Sequence, residues 1–333
     1  MMRLGITLQQ GYIILFTALV LLIGAATVYG LWAAGRQVGA ARRRRIDIAN
    51  SRVRIGGWMI AAFCSAWWGG LPAITVRFAL CSFFLLREFL SLTPIKHTDY
   101  WVLVLAFYVT IPVQYLLVYF GQQALFTLLI PVYLTLGLPV VSALSRDTDR
   151  FLERIAKVQF GVMLCVFCVS HAPAIATLDF TRYNSSGPLM LLYYMTVIFC
   201  ADLFTVLASS AFGGPALRMA PNKTLWGFLL GGGSAFLVGL ALYWLTPFRL
   251  WQAALYSFLI VVAGAMGDFV IQSIKMSLGS RSYEGDLYIG RGTLERYAPL
   301  IFSAPVFYHT TLIFFKLVDF DQIIDQSRTF LGQ

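Results

Sequence analysis

Two acidic residues stand inside stretches that are otherwise continuously apolar: Asp202 within 187–210, and Asp268 towards the end of 250–273. An isolated carboxylate at bilayer depth costs roughly 2.5–3.5 kcal/mol on insertion scales, so it faces a polar cavity or a partner. The plainer alternatives are a structural pair with an arginine or a place at the membrane interface. Between the two acids lies Phe212-Gly213-Gly214-Pro215, followed by Ala220-Pro221-Asn222-Lys223-Thr224 at the opening of another apolar run. Backbone N–H groups there, with one ammonium, can form an anion site. The G-x-x-x-x-G-K-S/T spacing of a Walker A loop is absent, and an ordinary turn carrying one lysine is the simpler alternative. A third group follows Asp268: Lys275, Arg281, Gly290-Arg291-Gly292, then Leu294-Glu295-Arg296. Carboxylates at two span ends with cations between them suit a metal-bound phosphate, with carboxylates on Mg²⁺ and Lys and Arg on phosphate oxygens. The plain alternative is a solvated basic loop against anionic lipid.

The remaining reactive side chains carry less. His171 precedes Pro173 at a span end and reads as a capping or interface histidine. His309 lies mid-span with no second ligand nearby in sequence and reads as packed or hydrogen-bonded. All five cysteines fall in apolar runs and read as small buried hydrophobes. Cys165 and Cys168 form a lone C-x-x-C without the second pair that zinc requires.

The elements that hold these residues must live in lipid. Of 333 residues, 59% are hydrophobic and 12% charged, with a mean hydropathy of +0.75; soluble domains carry about 25% charged residues. That excludes a soluble enzyme, a disordered regulator and a disulfide scaffold. Runs of about 20 apolar residues predict helices that cross a bilayer, at 12–32, 57–70, 72–91, 100–119, 124–144, 157–178, 187–210, 225–245, 250–273 and 299–317. The fold expected is all-α and polytopic, with about ten transmembrane helices. The second and third runs, joined by Gly69-Gly70-Leu71-Pro72, can instead be one re-entrant pair. With the N-terminus outside, nineteen of the 25 Lys and Arg fall in loops on one side, among them Arg42–Arg45, Arg154, Lys223 and Lys275. That bias places those loops in the cytoplasm and both termini outside. It also accounts for the net charge of +10 without nucleic acid as a partner.

Several segments resemble one family. Ala220-Pro221-Asn222-Lys223-Thr224-Leu225-Trp226-Gly227 is similar to the S-P-x-K-T-W-E/Q-G segment of phosphatidate cytidylyltransferases (CDP-diacylglycerol synthases). Gly267-Asp268, Ser273-Ile274-Lys275 and Gly290-Arg291-Gly292-Thr293-Leu294-Glu295-Arg296 resemble their motif G-D-x-x-E-S-x-x-K-R … G-H-G-G-x-L-D-R-x-D. Upstream, Leu86-Arg87-Glu88-Phe89-Leu90, Ile130-Pro131-Val132-Tyr133, Phe151-Leu152-Glu153-Arg154 and Ser170-His171-Ala172-Pro173 are similar to a bacterial branch. The likeness spans roughly residues 50–317, in the family's motif order. The chain departs from the motifs at Ala220, Trp226, Ile271, Met276 and Ala298, and carries Glu295 where the motif has Asp.

The resemblance implies condensation of CTP with phosphatidate to CDP-diacylglycerol and pyrophosphate, with Mg²⁺ as cofactor and membrane lipids as surroundings. It assigns Asp268 and Glu295 to metal, with Asp202 as a third ligand. Lys223, Lys275, Arg281 and Arg296 would hold phosphates, and Asn222 and Thr224 would hydrogen-bond nucleotide or phosphate. No protein nucleophile is required. The expected location is a bacterial inner membrane with the site facing the cytoplasm, and a homodimer is left open. Residues 1–50 would form an anchor and basic loop, 51–320 the cytidylyltransferase-like domain and 321–333 a tail. The departures keep a second reading in play: an impaired family member that binds lipid or nucleotide, or partners an active enzyme. A lipid or solute transporter is a third.

Overall fold

The computed structural model describes residues 8–35, 69–93, 96–178, 187–212, 214–217, 220–277 and 293–330, together with residues 43, 50 and 53. In hydrocarbon each backbone N–H and C=O must be satisfied within the chain, and continuous apolar runs meet that demand as helices. Among the described residues the first two long helices are α1 (Leu8–Ala34) and α2 (Gly70–Ser91). Seven more are long and apolar enough to cross a membrane: α3 (Tyr100–Tyr119), α4 (Gln123–Ala143), α5 (Phe151–Ala176), α6 (Gly187–Phe212), α7 (Leu225–Trp244), α8 (Leu250–Ser277) and the Thr293–Phe315 part of α9 (Thr293–Phe330). Each of these seven coincides with an expected span. The expected count of ten is not reached among the described residues: α2 carries Arg77, Arg87 and Glu88, and most of the run 57–70 lies outside them. The segment 321–330, expected as a tail, continues α9 without a break.

α5 and α6 form the centre, with 72% of their apolar stretches buried, against 22% for α4 and 28% for α7 at the periphery. Buried hydroxyl pairs tie the helices across the core: Tyr193 to Ser257 at 2.8 Å, Tyr194 to Ser303 at 2.7 Å and Ser82 to Tyr115 at 2.6 Å. Three of the expected spans contain wider turns, at Leu105–Thr110, Leu129–Leu134 and Met163–Cys168. Thr110 and Thr135 also donate their hydroxyls to the carbonyls of Leu105 and Ile130, five residues back.

The helices alternate in direction, so the loops after α2, α4, α6 and α8 share one end of the bundle. Cations gather at that end, including Lys96, Arg150, Arg154, Lys223 and Lys275, while Arg249 lies at the other. The α2–α3 and α4–α5 loops are knotted together there. Buried Arg154 faces Asp99 Oδ2 at 3.1 Å and Asp147 Oδ2 at 3.0 Å, and also donates to the carbonyl of Asp149. Lys96 donates to Asp149 Oδ2 at 2.6 Å. The peptide N–H of Asp149 and the Thr98 hydroxyl, with Lys96 and Arg154 beside them, hold the Asp147 carboxyl at about 2, well below the usual aspartate range.

The reading of His171 as a capping or interface histidine needs correcting, while His309 is packed and hydrogen-bonded as expected. His171 is wholly buried in a ring of Phe126, Phe167 and Tyr308, its Nδ1 2.8 Å from the Phe167 carbonyl. His309 has a partner that spacing hides: its Nε2 lies 3.1 Å from His171 Nε2, across 138 residues of chain. Both fill an internal polar contact rather than an interface. Cys81, Cys165, Cys168 and Cys200 are free thiols.

Candidate active site

The site begins where the helical pattern breaks. Pro221 and Asn222 suit neither a helix interior nor a lipid-facing turn, and residues Ala220–Thr224 form a short strand, β2, paired antiparallel with β1 (Ala216–Leu217). Successive side chains on a strand point to opposite faces, which sends Lys223 and Thr224 different ways. Thr224 caps α7: its hydroxyl accepts the Gly227 N–H at 3.0 Å. The Thr224 N–H in turn donates to Ser209 Oγ on α6 at 3.1 Å, and Ser209 donates to the Thr205 carbonyl at 2.7 Å. A β-carbon at Gly227 would overlap Ser209 Oγ, so only glycine lets the strand–helix junction lie this close to α6.

Lys223 turns the other way, into the bundle. Its ammonium is held between Asp268 Oδ2 of α8 and Asp202 Oδ1 of α6, the latter at 3.3 Å. Asp202 and Asp268 lie ten and nine residues before the ends of their helices, and at 1.5 Å per residue both sit about 15 Å below those ends. Lys223 and Asp268 are buried, and Asp202 is partly exposed. The desolvation of buried Asp268 is offset by the shared ammonium. The three residues line a cleft whose other walls are Ile198, Ala201, Phe228, Val261, Phe269 and Pro299, among others. The cleft is therefore ionic on one side and apolar on the rest.

A second ion pair lies further along α8. Lys275 Nζ is 3.5 Å from Glu295 Oε2 of α9, and Gln272 Nε2 donates to Glu295 Oε1 at 2.8 Å. Lys275 is seven residues beyond Asp268, about 10 Å along the axis. Asp202 and Asp268 are thus brought together while Glu295 belongs to the neighbouring centre. Among the described residues no three His, Cys, Asp or Glu side chains converge as a metal-holding group. The carboxylates of Asp202 and Asp268 do converge on one cation position. Hard oxygen donors of this kind suit Mg²⁺, which keeps water and substrate phosphate as its remaining ligands.

Arg296 is half-buried and makes no hydrogen bond or ion pair to another described residue. Asn222 lies on β2, but its side chain, like Arg281 and the stretch 290–292, falls outside the described residues. The departures from the family motifs divide in two. Trp226 and Met276 are exposed, whereas Ile271 and Ala298 are fully buried. Three residues that hold the site were not singled out for it in the sequence: Ser209, Gln272 and Glu88. Gln272 had a signal, since Asp268, Gln272 and Lys275 recur at one helical face. Glu88 accepts the Leu294 N–H at 3.1 Å across 206 residues, and no local pattern announces that.

Residues 50–314 match the cytidylyltransferase family. The chain is 33% identical over 237 residues to "Uncharacterized protein YnbB" of Escherichia coli K12, covering 70% of this chain and 76% of that one. It is 29% identical over 139 residues to the phosphatidate cytidylyltransferase of Aquifex aeolicus, covering 41% of this chain and 52% of that enzyme. Against the enzyme of the same name from Synechocystis it is 27% identical over 138 residues, covering 40% and 47%. The chain thus spans about half the length of these two enzymes. With seven apolar helices in the order of the family's motifs, and a match over most of its length, the chain is a polytopic membrane protein that belongs to the cytidylyltransferase family.

Proposed function

We propose that the protein is a phosphatidate cytidylyltransferase, joining CTP and phosphatidate into CDP-diacylglycerol and releasing pyrophosphate. The observation that carries this reading is Lys223 held between Asp202 and Asp268 on the ionic side of an otherwise apolar cleft. A lipid phosphate has that same division, and the relatives named for this reaction supply the class of chemistry.

In the reaction a phosphate oxygen of phosphatidate attacks the α-phosphorus of CTP. The new P–O bond forms as the bond to the β-phosphate oxygen breaks, and pyrophosphate leaves with that electron pair. Positioning and charge neutralisation do the work, so no side chain needs to become covalently bound. Asp202 and Asp268 would hold Mg²⁺, which supplies neutralisation of the triphosphate charge. Lys223 has a flexible stem and a point charge, and swings from the carboxylates onto a phosphate oxygen. Lys275 stands about 10 Å further along α8, where it, with Arg296, would take the outer phosphates, and Glu295 would orient Lys275. Thr224 keeps α7 capped, with Asn222 beside it on the strand for the nucleotide. The site lies towards the cation-rich end of the bundle, which by the positive-inside rule would face the cytoplasm; in a bacterium this would be the inner membrane.

A second reading rests on Ala298 and Ile271, which are fully buried where the family motif has carboxylates. A member lacking them would bind lipid or nucleotide without turning it over. Incubating the purified protein with CTP, phosphatidate and Mg²⁺ separates the two. Product that vanishes with Asp268→Asn supports the enzyme. Saturable CTP binding without product favours the second reading.

A further inference from the structure

The first turn of α9 carries Glu295 and Arg296, yet its own start has nothing intrahelical to hold it. The leading N–H groups of a helix lack i−4 partners. One of them, that of Leu294, donates to Glu88 Oε2 of α2 at 3.1 Å. Leu294 is fully buried and Glu88 half-buried, so this bond is partly shielded from water. A carboxylate facing a helix N-terminus gains both a charge-assisted hydrogen bond and a favourable meeting with the helix dipole.

The same end of α9 is also held by close packing against α8. A β-carbon at Gly267 of α8 would overlap the Ala298 carbonyl and lie 2.9 Å from Phe302 Cβ. The two backbones therefore meet directly, one turn beyond Glu295. Between these contacts the Glu295 carboxylate reaches Lys275 and Gln272. Gly267 fixes how near α9 lies to α8, and Glu88 fixes where its tip sits.

We propose that Glu88 is a positioning residue for the transfer reaction: by accepting the Leu294 N–H it sets the first turn of α9, and with it Glu295 and Arg296, relative to α8. The proposal rests on the cytidylyltransferase reading, in which those side chains work on the phosphates. A misplacement of about 1 Å costs on the order of 10²-fold in rate.

The test compares Glu88→Ala, Glu88→Asp and Glu88→Gln in the full chain, purified in detergent. It reads kcat and KM for CTP, and hydrogen–deuterium exchange of residues 293–298. The Gln amide oxygen accepts the same N–H, the Asp carboxylate falls one methylene short, and Ala removes the acceptor. The expected result is faster exchange in 293–298 for Ala and Asp, with kcat lower by about 10- to 100-fold and KM little changed. Glu88→Gln should restore both most of the way. Unchanged exchange in Glu88→Ala and Glu88→Asp, or faster exchange with undiminished kcat, overturns the proposal. A wild-type protein without turnover, whose Glu88→Ala form still exchanges faster, refutes the cytidylyltransferase reading. The docking contact would then stand, and the catalytic role would fall with the reaction.

Discussion

Two buried cations at the same end of the bundle are each held by aspartates, and they differ in what surrounds them. Arg154 is locked by Asp99, Asp147 and two backbone carbonyls, all from the loops it joins, and a planar guanidinium fork cannot leave such a set without breaking several bonds. Lys223 is held by two carboxylates from two other helices, at the edge of a cleft. Its single ammonium on a four-carbon stem can move a few ångströms with the backbone still. Burial and charge are common to both, so neither marks a functional site by itself. The adjoining cleft and the freedom of the cation distinguish the reactive centre from the structural knot.

The contrast predicts opposite consequences when each is cut. Asp268→Asn should lower CTP-dependent turnover at least about 10²–10³-fold, as loss of a transition-state electrostatic contact does, with the protein still folded by size-exclusion and thermal unfolding. Arg154→Met should do the reverse. Removing one member of a buried ion network costs on the order of 3–5 kcal/mol, read as a lower unfolding temperature, while turnover per folded molecule stays at the wild-type level. A loss of turnover equal to that of Asp268→Asn in the folded Arg154→Met protein would erase the distinction.

Ser209→Ala sharpens the same comparison with a smaller effect. It leaves the buried Thr224 N–H without its acceptor, at about 1–3 kcal/mol, and loosens the strand that carries Lys223. Turnover should fall several-fold, and Arg154 and its loops should be untouched in hydrogen exchange. The smallest effect is one of pH. Asp147 has its carboxyl lowered to about 2 by the Asp149 N–H and Thr98, and Asp149 is lowered chiefly by Lys96. Groups with depressed folded-state values stabilise above their unfolded values and lose that contribution as pH falls. The knot should therefore loosen between about pH 4 and pH 2, seen as faster exchange in residues 96–99 and 147–154. Asp147→Asn should flatten that dependence.

The two centres were also unequally legible. Asp202 and Asp268 announce themselves because a carboxylate in an apolar run is costly, and Lys223 and Thr224 because they open a helix after a proline. The seven long helices follow from hydropathy alone. The strand around Lys223 was not visible, since Pro221 and Asn222 are poor strand formers and only pairing with residues 216–217 makes them extended. Glu88 and the His171–His309 contact join residues 206 and 138 positions apart, where no periodicity reaches. The third carboxylate illustrates the same limit. Glu295 shares a motif with Asp268, but two further turns of α8 place it with Lys275 instead of at the Lys223 centre.

The most direct test is to run wild type, Asp268→Asn and Arg154→Met side by side with labelled CTP, phosphatidate and Mg²⁺ in the same micelles, following CDP-diacylglycerol and pyrophosphate together. Equal amounts of both products from wild type and Arg154→Met, and neither from Asp268→Asn, is the predicted outcome. A wild-type protein that makes neither product, beside a phosphatidate cytidylyltransferase that makes both, would contradict it.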